Sequence, residues 1–196
     1  MKKIIICALL SCGLLSTQSF AQDSNIYIGV DVLKSSNTFT YHLDNYSSSY
    51  NLESDSSAFK LKLGWVRDEG KRVQLYYLQE KYEDAPFDAT NDIFSEIGID
   101  FIKDFGLSPV LSPFMQVGIG YGWMKTDTST YDDNTVSELN IKVGAGFIYT
   151  VVPEIEIIAG IDLQYKRWLD RTSGSYTIQT EEQSTKYYVG VNYRFN

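Results

Sequence analysis

The sequence has little of what stabilises or equips most small exported proteins. Its two cysteines, Cys7 and Cys12, both fall in the first twelve residues. The rest of the chain therefore has neither thiol nor disulfide, and its stability must come from elsewhere. There is one histidine, His42, so any Ser-His chemistry has a single possible base. The four prolines, Pro86, Pro109, Pro113 and Pro153, fall in connections or at a strand's first residue, as sheet hydrogen bonding requires. Beyond the N-terminal leader no run approaches the ~18 to 20 apolar residues of a membrane-spanning helix. Basic charge is also scarce, since the chain carries a formal −8. That balance argues against a nucleic-acid partner.

What is present begins with a leader. Lys2 and Lys3 precede a predominantly apolar run from Ile4 to Leu15, and Ser19-Phe20-Ala21 supplies small residues where a signal peptidase reads. Cleavage after Ala21 is expected, making 1–21 a removed signal peptide and 22–196 the mature domain. The loss of Lys2 and Lys3 moves the formal charge from −8 to −10. A lipoprotein box at Leu9-Leu10-Ser11-Cys12 competes, but the apolar run before Cys12 is very short.

From there on the pattern has period two. Eight alternating segments follow, approximately Asn25 to Lys34, Ala58 to Arg67, Arg72 to Tyr82, Asp92 to Lys103, Pro113 to Lys125, Val136 to Tyr149, Glu154 to Trp168 and Thr185 to Phe195. Each is at least as long as the ~9 to 11 residues a tilted strand needs to cross a bilayer, against ~5 to 6 for a soluble strand. One face is apolar, as in Ile26, Ile28, Val30 and Val32, or Leu139, Ile141, Val143 and Ala145. The alternate face collects Asp31, Glu80, Glu96, Asp100, Glu156 and Asp162 against Lys60, Lys62, Arg72, Lys142, Lys166, Lys186 and Arg194. Such near-balance suits a closed polar interior, because an unpaired buried charge is costly. The third strand is the least regular, since Tyr76 and Leu78 share a face with Gln74.

Glycine separates a membrane barrel from a soluble sandwich. Ten of the fourteen sit on the charged face and none on the apolar one; in a narrow bore, missing side chains make room. The pattern therefore predicts an all-β fold, an eight-stranded antiparallel up-and-down transmembrane barrel with the apolar face toward lipid. Tyr27, Asp31, Lys60 and Lys62 are expected to lean across the bore into the glycine-rich wall of the fifth and sixth strands.

Connections alternate short and long, as in barrels with short periplasmic turns and long outer loops. Segments 35–57, 83–91, 126–135 and 169–184 are the long ones. With both termini periplasmic, Trp65, Phe101, Phe147, Tyr149, Tyr193 and Phe195 gather at the inner rim. Tyr121, Trp123, Tyr165, Trp168 and Tyr187 gather at the outer one, giving two aromatic girdles. In the loops, Phe39, Tyr41, Tyr46, Tyr50, Phe87, Tyr131 and Tyr176 stand among Ser, Thr, Asn and acidic residues. Tyrosine among small polar neighbours suits protein recognition.

The closing Gly190-x-x-Tyr193-x-Phe195 resembles the terminal-strand signal by which outer-membrane barrels are recognised for assembly, with Asn196 after the usual last aromatic. The segment "LSPFMQVGIGYGW" is similar to a proline-led, glycine-alternating strand of the small outer-membrane β-barrels. The chain thus resembles that family, of the OmpA transmembrane-domain, OmpX and opacity-protein kind. The resemblance implies the cell outer membrane, lipid contacts that include lipopolysaccharide, dependence on the barrel assembly machinery, a monomer, and adhesion or host-protein binding through the loops. It implies neither a cofactor nor a metal.

Eight strands enclose a bore that side chains fill, so the charged residues read as ion pairs fixing the barrel's shape, with a small leaky channel as the alternative. Some eight-stranded relatives are lipid A enzymes with a histidine-activated serine; here only His42, with Asp44 and several serines nearby, could serve. Its ordinary role is that of a polar loop residue. The acidic pairs Glu83-Asp84, Asp132-Asp133 and Glu181-Glu182 lack the spaced oxygen ligands of a calcium loop and read as solvated loop charge. Gly118-x-Gly120-x-Gly122 has strand spacing rather than the strand-to-helix context of a dinucleotide site.

Overall fold

The structure is a computed structural model that describes residues 26–43, 49–67, 70–87, 92–108, 110–126, 135–173 and 176–195. The expected leader, Tyr46 and Tyr131 lie outside the described residues, as do the side chains of 43, 171–173 and 176, and with them that of Tyr176.

The alternating segments form strands β1 (Ile26–Leu43), β2 (Ser49–Arg67), β3 (Lys71–Tyr82), β4 (Ile93–Asp104), β5 (Leu111–Lys125), β6 (Thr135–Val152), β7 (Ile155–Ser173) and β8 (Tyr176–Phe195). Each pairs antiparallel with its neighbour in sequence, and β1 closes on β8 from Ile26↔Phe195 to Leu43↔Ile178, so the sheet has no edge. At mid-height Val30 stands between Leu61 and Val191, all three facing outward.

The outward apolar rows form a continuous belt. On β7 it runs from Ile155 to Tyr165, eleven residues. That is about 36 Å of strand at ~3.3 Å per residue, or about 28 Å of height at a tilt of ~40°, close to the ~25 Å band of a membrane barrel. Exposing such a belt to water is unfavourable by its area alone. Lipid is the solvent it fits.

The strands run past the belt at one end. The expected loops 35–57 and 169–184 are mostly strand: β1 and β2 pair as far as His42↔Ser49, and β7 and β8 as far as Ser173↔Tyr176. Sequence alternation stops at Lys34 because both faces are polar above the belt, where Ser36, Thr38 and Thr40 face outward in water. The extension is one-sided: the consecutive strands β7, β8, β1 and β2 pair up to Ser173↔Tyr176 and His42↔Ser49, while the pairing of β3 with β4 ends at Lys81↔Ile93 and that of β5 with β6 at Lys125↔Thr135.

At the other end, where β1 begins and β8 finishes, the connections are short. Gly70 and Gly106 take positive φ there, at 70° and 46°, which glycine adopts without a Cβ penalty. One aromatic expectation fails. Trp168 is fully buried in the bore rather than set in the outer girdle, because even-numbered β7 residues, from Asp162 to Trp168, face inward.

Candidate functional site: a filled bore and a raised sheet

The inward face is packed from wall to wall, and two cross-bore ties join β3 to the opposite strand β7. Nearest the turn end, Arg72 donates from Nη1 and Nη2 to Glu156 at 2.7 and 3.1 Å, and from Nε to Asp104 at 3.0 Å. Asn192 and Arg194 add longer contacts to the same Glu156, at 3.3 and 3.4 Å. Such a forked, two-bond guanidinium–carboxylate contact fixes direction as well as distance.

At mid-height Asp31 is held by Lys62 and, at 3.4 Å, by Lys60. Lys142 pairs with Asp100 at 2.9 Å and lies 3.7 Å from the centre of the Tyr76 ring. Tyr27 donates to Gln74, which donates to Asp100, each at 2.8 Å.

Above these comes the second tie. Lys166 of β7 donates to Glu182 and to the Tyr82 hydroxyl, both at 2.8 Å, and lies 3.5 Å from Glu80. Lys186 and Ser56 bind Glu80 at 2.6 Å each, and Trp168 Nε1 donates to Glu182 at 3.2 Å. Over this network the rings of Phe39, Tyr82, Phe94, Trp168 and Phe87 pack together, edge to face except for the tilted Tyr82–Phe94 contact, and Phe87 meets Trp168 at 4.8 Å between centres. Tyr41 donates to the Pro86 carbonyl at 2.6 Å, tying the β3–β4 connection to the mouth. A bore so tied and capped is a solid core with ions in it.

The thirteen charged residues expected inside, Asp31, Lys60, Lys62, Arg72, Glu80, Glu96, Asp100, Lys142, Glu156, Asp162, Lys166, Lys186 and Arg194, all face the bore, Arg194 only half-buried. Two differ from the expectation of direct ion pairs. Glu96 accepts hydrogen bonds from Tyr76 and Gln164, and Asp162 from Gln116. Glu182 is the reverse case, expected as solvated loop charge yet fully buried against Lys166, because β8 extends to that height. Glu138, Tyr82 and Trp168 were likewise missed.

The glycines mark where the large side chains lie. Tyr27 is the direct ladder partner of Gly64, Tyr76 of Gly98, Asp100 of Gly118, Asp162 of Gly144, Tyr188 of Gly160 and Asp31 of Gly190. A Cβ on any of these glycines would meet its partner side chain. Tyr27, Asp31, Lys60 and Lys62 do point inward, but they do not fill the glycine wall of β5 and β6. Tyr76, Phe94, Asp100, Asp162 and Phe114 cover it instead, because a paired strand lies only ~5 Å away.

The expected recognition residues divide by burial. Tyr50 is 66% exposed on the raised part of β2, Tyr41 is half-buried beneath it, and Phe87 is 8% exposed against Trp168. Phe87 is therefore part of the cap rather than a presented contact. On the outward face of the raised sheet, Arg167 binds Glu181 at 2.7 Å and Gln179 at 2.9 Å, and Glu53 and Asp55 are exposed on the same face of β2. His42 sits on that face opposite Ser49 and Gln179. At the other end Tyr193 and Phe195 pack their rings at 5.1 Å, and Gly190 faces inward beside Asp31. Among the described residues no cluster of acids, histidines or cysteines could hold a metal ion.

No family model and no curated sequence relative matches the chain. Solved structures do. The chain is similar to the outer membrane protein OprG from Pseudomonas aeruginosa, with a TM-score of 0.60 at 10% identity over 88% of this chain and 97% of that one. It is similar to Neisserial surface protein A, with a TM-score of 0.57 at 18% identity over 88% and 98%. It is similar also to the outer membrane protein AlkL, with a TM-score of 0.52 at 10% identity over 89% and 92%. The shared feature is the fold, that of the small outer-membrane β-barrels.

Proposed function

We propose that this chain is a non-enzymatic protein of the cell outer membrane, a monomeric barrel that anchors a raised β-sheet at the cell surface for contact with other proteins. The observation that carries this is the pairing of a tied, capped bore with a one-sided extension of β7, β8, β1 and β2. Among the described residues the bore is crossed by Arg72–Glu156 and Lys166–Tyr82 and capped by Phe87 and Trp168, which turns attention to the surface above the belt. There Glu53, Asp55, His42 and Glu181 stand on the outward side of paired strands, with acids outnumbering bases, while Tyr50 stands exposed on the inner side, at the mouth beside Tyr41. That face suits a neutral or basic protein surface rather than a polyanion. Export by the 1–21 leader and insertion through the Gly190, Tyr193 and Phe195 signal belong to the same proposal, as do lipopolysaccharide contacts around the belt.

The test is made in cells. Fractionation and heat-modifiable gel migration establish insertion of the wild type and of a Tyr50→Ala, Glu53→Ala, Asp55→Ala variant. Attachment to coated surfaces and survival in serum are then compared. The expected result is an inserted variant whose attachment drops several-fold. Equal attachment by both, and by a form whose extension is shortened, would reduce the protein to a structural role.

A further inference from the structure

The outward face carries a feature that the proposed surface role leaves unused. At the turn end, Arg67 on β2, Lys71 on β3 and Lys103 on β4 stand in one row, since Arg67 pairs in register with Lys71, and Lys71 with Lys103. The next row toward mid-belt is wholly apolar: Val73 pairs with Phe101, Phe101 with Val117 and Val117 with Val143. The two rows line one groove of about 510 Å³, within the ~300–1,000 Å³ of ordinary small-ligand sites.

The neighbouring turn fixes the depth of this groove. Phe105, Leu107, Val110 and Leu111 are all exposed beyond Lys103, Leu107 at 77%. A turn this apolar is most stable dipped into the membrane interface, which brings the cation row to the level of the lipid phosphates rather than into open water.

We propose that this groove is a binding site for one anionic phospholipid of the leaflet at the turn end, its phosphate held by Arg67, Lys71 and Lys103 and an acyl chain lying along Val73, Phe101, Val117 and Val143. The occupant follows from complementarity at both ends, with three cations for an anionic head and an apolar row for a chain. A soluble anion would satisfy only the first, and a neutral lipid only the second. The site rests on the membrane reading given above.

The test uses the whole mature chain refolded into vesicles of equal phosphatidylglycerol and phosphatidylcholine, extracted in mild detergent, with the retained lipids counted by mass spectrometry. Wild type is expected to retain phosphatidylglycerol preferentially. The preference drops about five-fold for each of Arg67→Gln, Lys71→Gln and Lys103→Gln, and Lys34→Gln with Lys125→Gln at the opposite rim leaves it unchanged. Val117→Trp, which fills the groove and keeps the charges, lowers retention of both lipids. Equal retention of the two lipids by wild type overturns the site, as does a preference that survives the triple variant or vanishes equally in the opposite-rim variant. In a second set of vesicles in which lipid A replaces the phosphatidylcholine, a preference for lipid A over phosphatidylglycerol at these cations also overturns it, because it places the turn end in the other leaflet. Heat-modifiable migration is measured on every sample. A chain that never inserts refutes the membrane reading itself, whereas an inserted chain without lipid preference refutes only the groove.

Discussion

Replacing Lys166 by methionine tests whether the bore is held by balanced ions or merely filled by side chains. Lys166 is fully buried, and its ammonium reaches Glu182, Tyr82 and Glu80 at 2.8, 2.8 and 3.5 Å. Methionine roughly conserves the volume, so the packing cost stays under ~1.5 kcal/mol. The electrostatic cost is larger. Glu80 keeps Lys186 and Ser56, but Glu182 is left with the neutral donors Tyr82, Trp168 and Ser184. Breaking a buried pair by removing one partner costs about 3–5 kcal/mol. Adding Glu182→Gln removes the stranded charge and should recover at least half of that loss. The exposed pair Lys81–Asp92, 67% and 38% exposed, is the control, with Lys81→Met expected to cost at most ~1 kcal/mol. Stability is read from the urea dependence of the heat-modifiable folded band in vesicles. A Lys166→Met loss under ~1 kcal/mol, or a double variant as damaged as the single, would refute the balance argument.

The remaining predictions concern packing, the belt, conduction and His42. Gly146→Val should give no folded band, because a Cβ there meets the Ala159 carbonyl and Gly160 backbone; Gly106→Ala, with open space but φ at +46°, should cost only ~1 kcal/mol of backbone strain. Val30→Arg, at mid-belt, should cost about 2–4 kcal/mol by the same urea assay, whereas Thr38→Arg above the belt should cost little. In planar bilayers the wild type should show no sustained conductance steps; an ohmic open state would contradict a bore tied by Arg72–Glu156 and Lys166–Tyr82. Replacing His42 by alanine should leave lipid A acylation in expressing cells unchanged, and a lost activity would reverse the non-enzymatic assignment.

Much of this architecture was legible because the two faces of a barrel strand meet different solvents. From Ile26 to Val32, or Leu139 to Phe147, every second residue is apolar and those between are polar, tyrosine or glycine, and the strand count, facing and charged interior follow. Above Lys34 that contrast disappears. Ser35, Asn37 and Phe39 face a packed mouth while Ser36, Thr38 and Thr40 face water, so no hydrophobic period marks the strand, and the upper parts of β1, β2, β7 and β8 read as loops. The same blindness hid Glu182 and misplaced Phe87. Register was the other gap. That Tyr27 lies on Gly64, and Tyr188 on Gly160, depends on which residues pair across strands, and a single sequence shows the glycines without their partners.

The raised sheet and the filled bore are one packing unit. Inward residues of the extension, Phe39 on β1 and Trp168 on β7, contact Tyr82, Phe94 and Phe87, and Trp168 and Tyr82 both bind the Glu182 that Lys166 holds. The four strands above the belt therefore continue the core below it. This bears on recognition, because ordering a mobile loop at an interface subtracts from affinity, roughly 0.5–1.5 kcal/mol for each immobilised side chain. Tyr50, Glu53 and Asp55 sit on backbone already paired in the sheet, so much of that cost is met on folding. On the proposed reading, loosening the cap with Trp168→Ala should weaken partner binding without touching any surface residue, and should do so mainly by raising the dissociation rate. Surface plasmon resonance on the vesicle-embedded protein separates the rates. An unchanged dissociation rate in a destabilised but inserted Trp168→Ala variant would uncouple the sheet from the bore and leave the extension as an independent lobe.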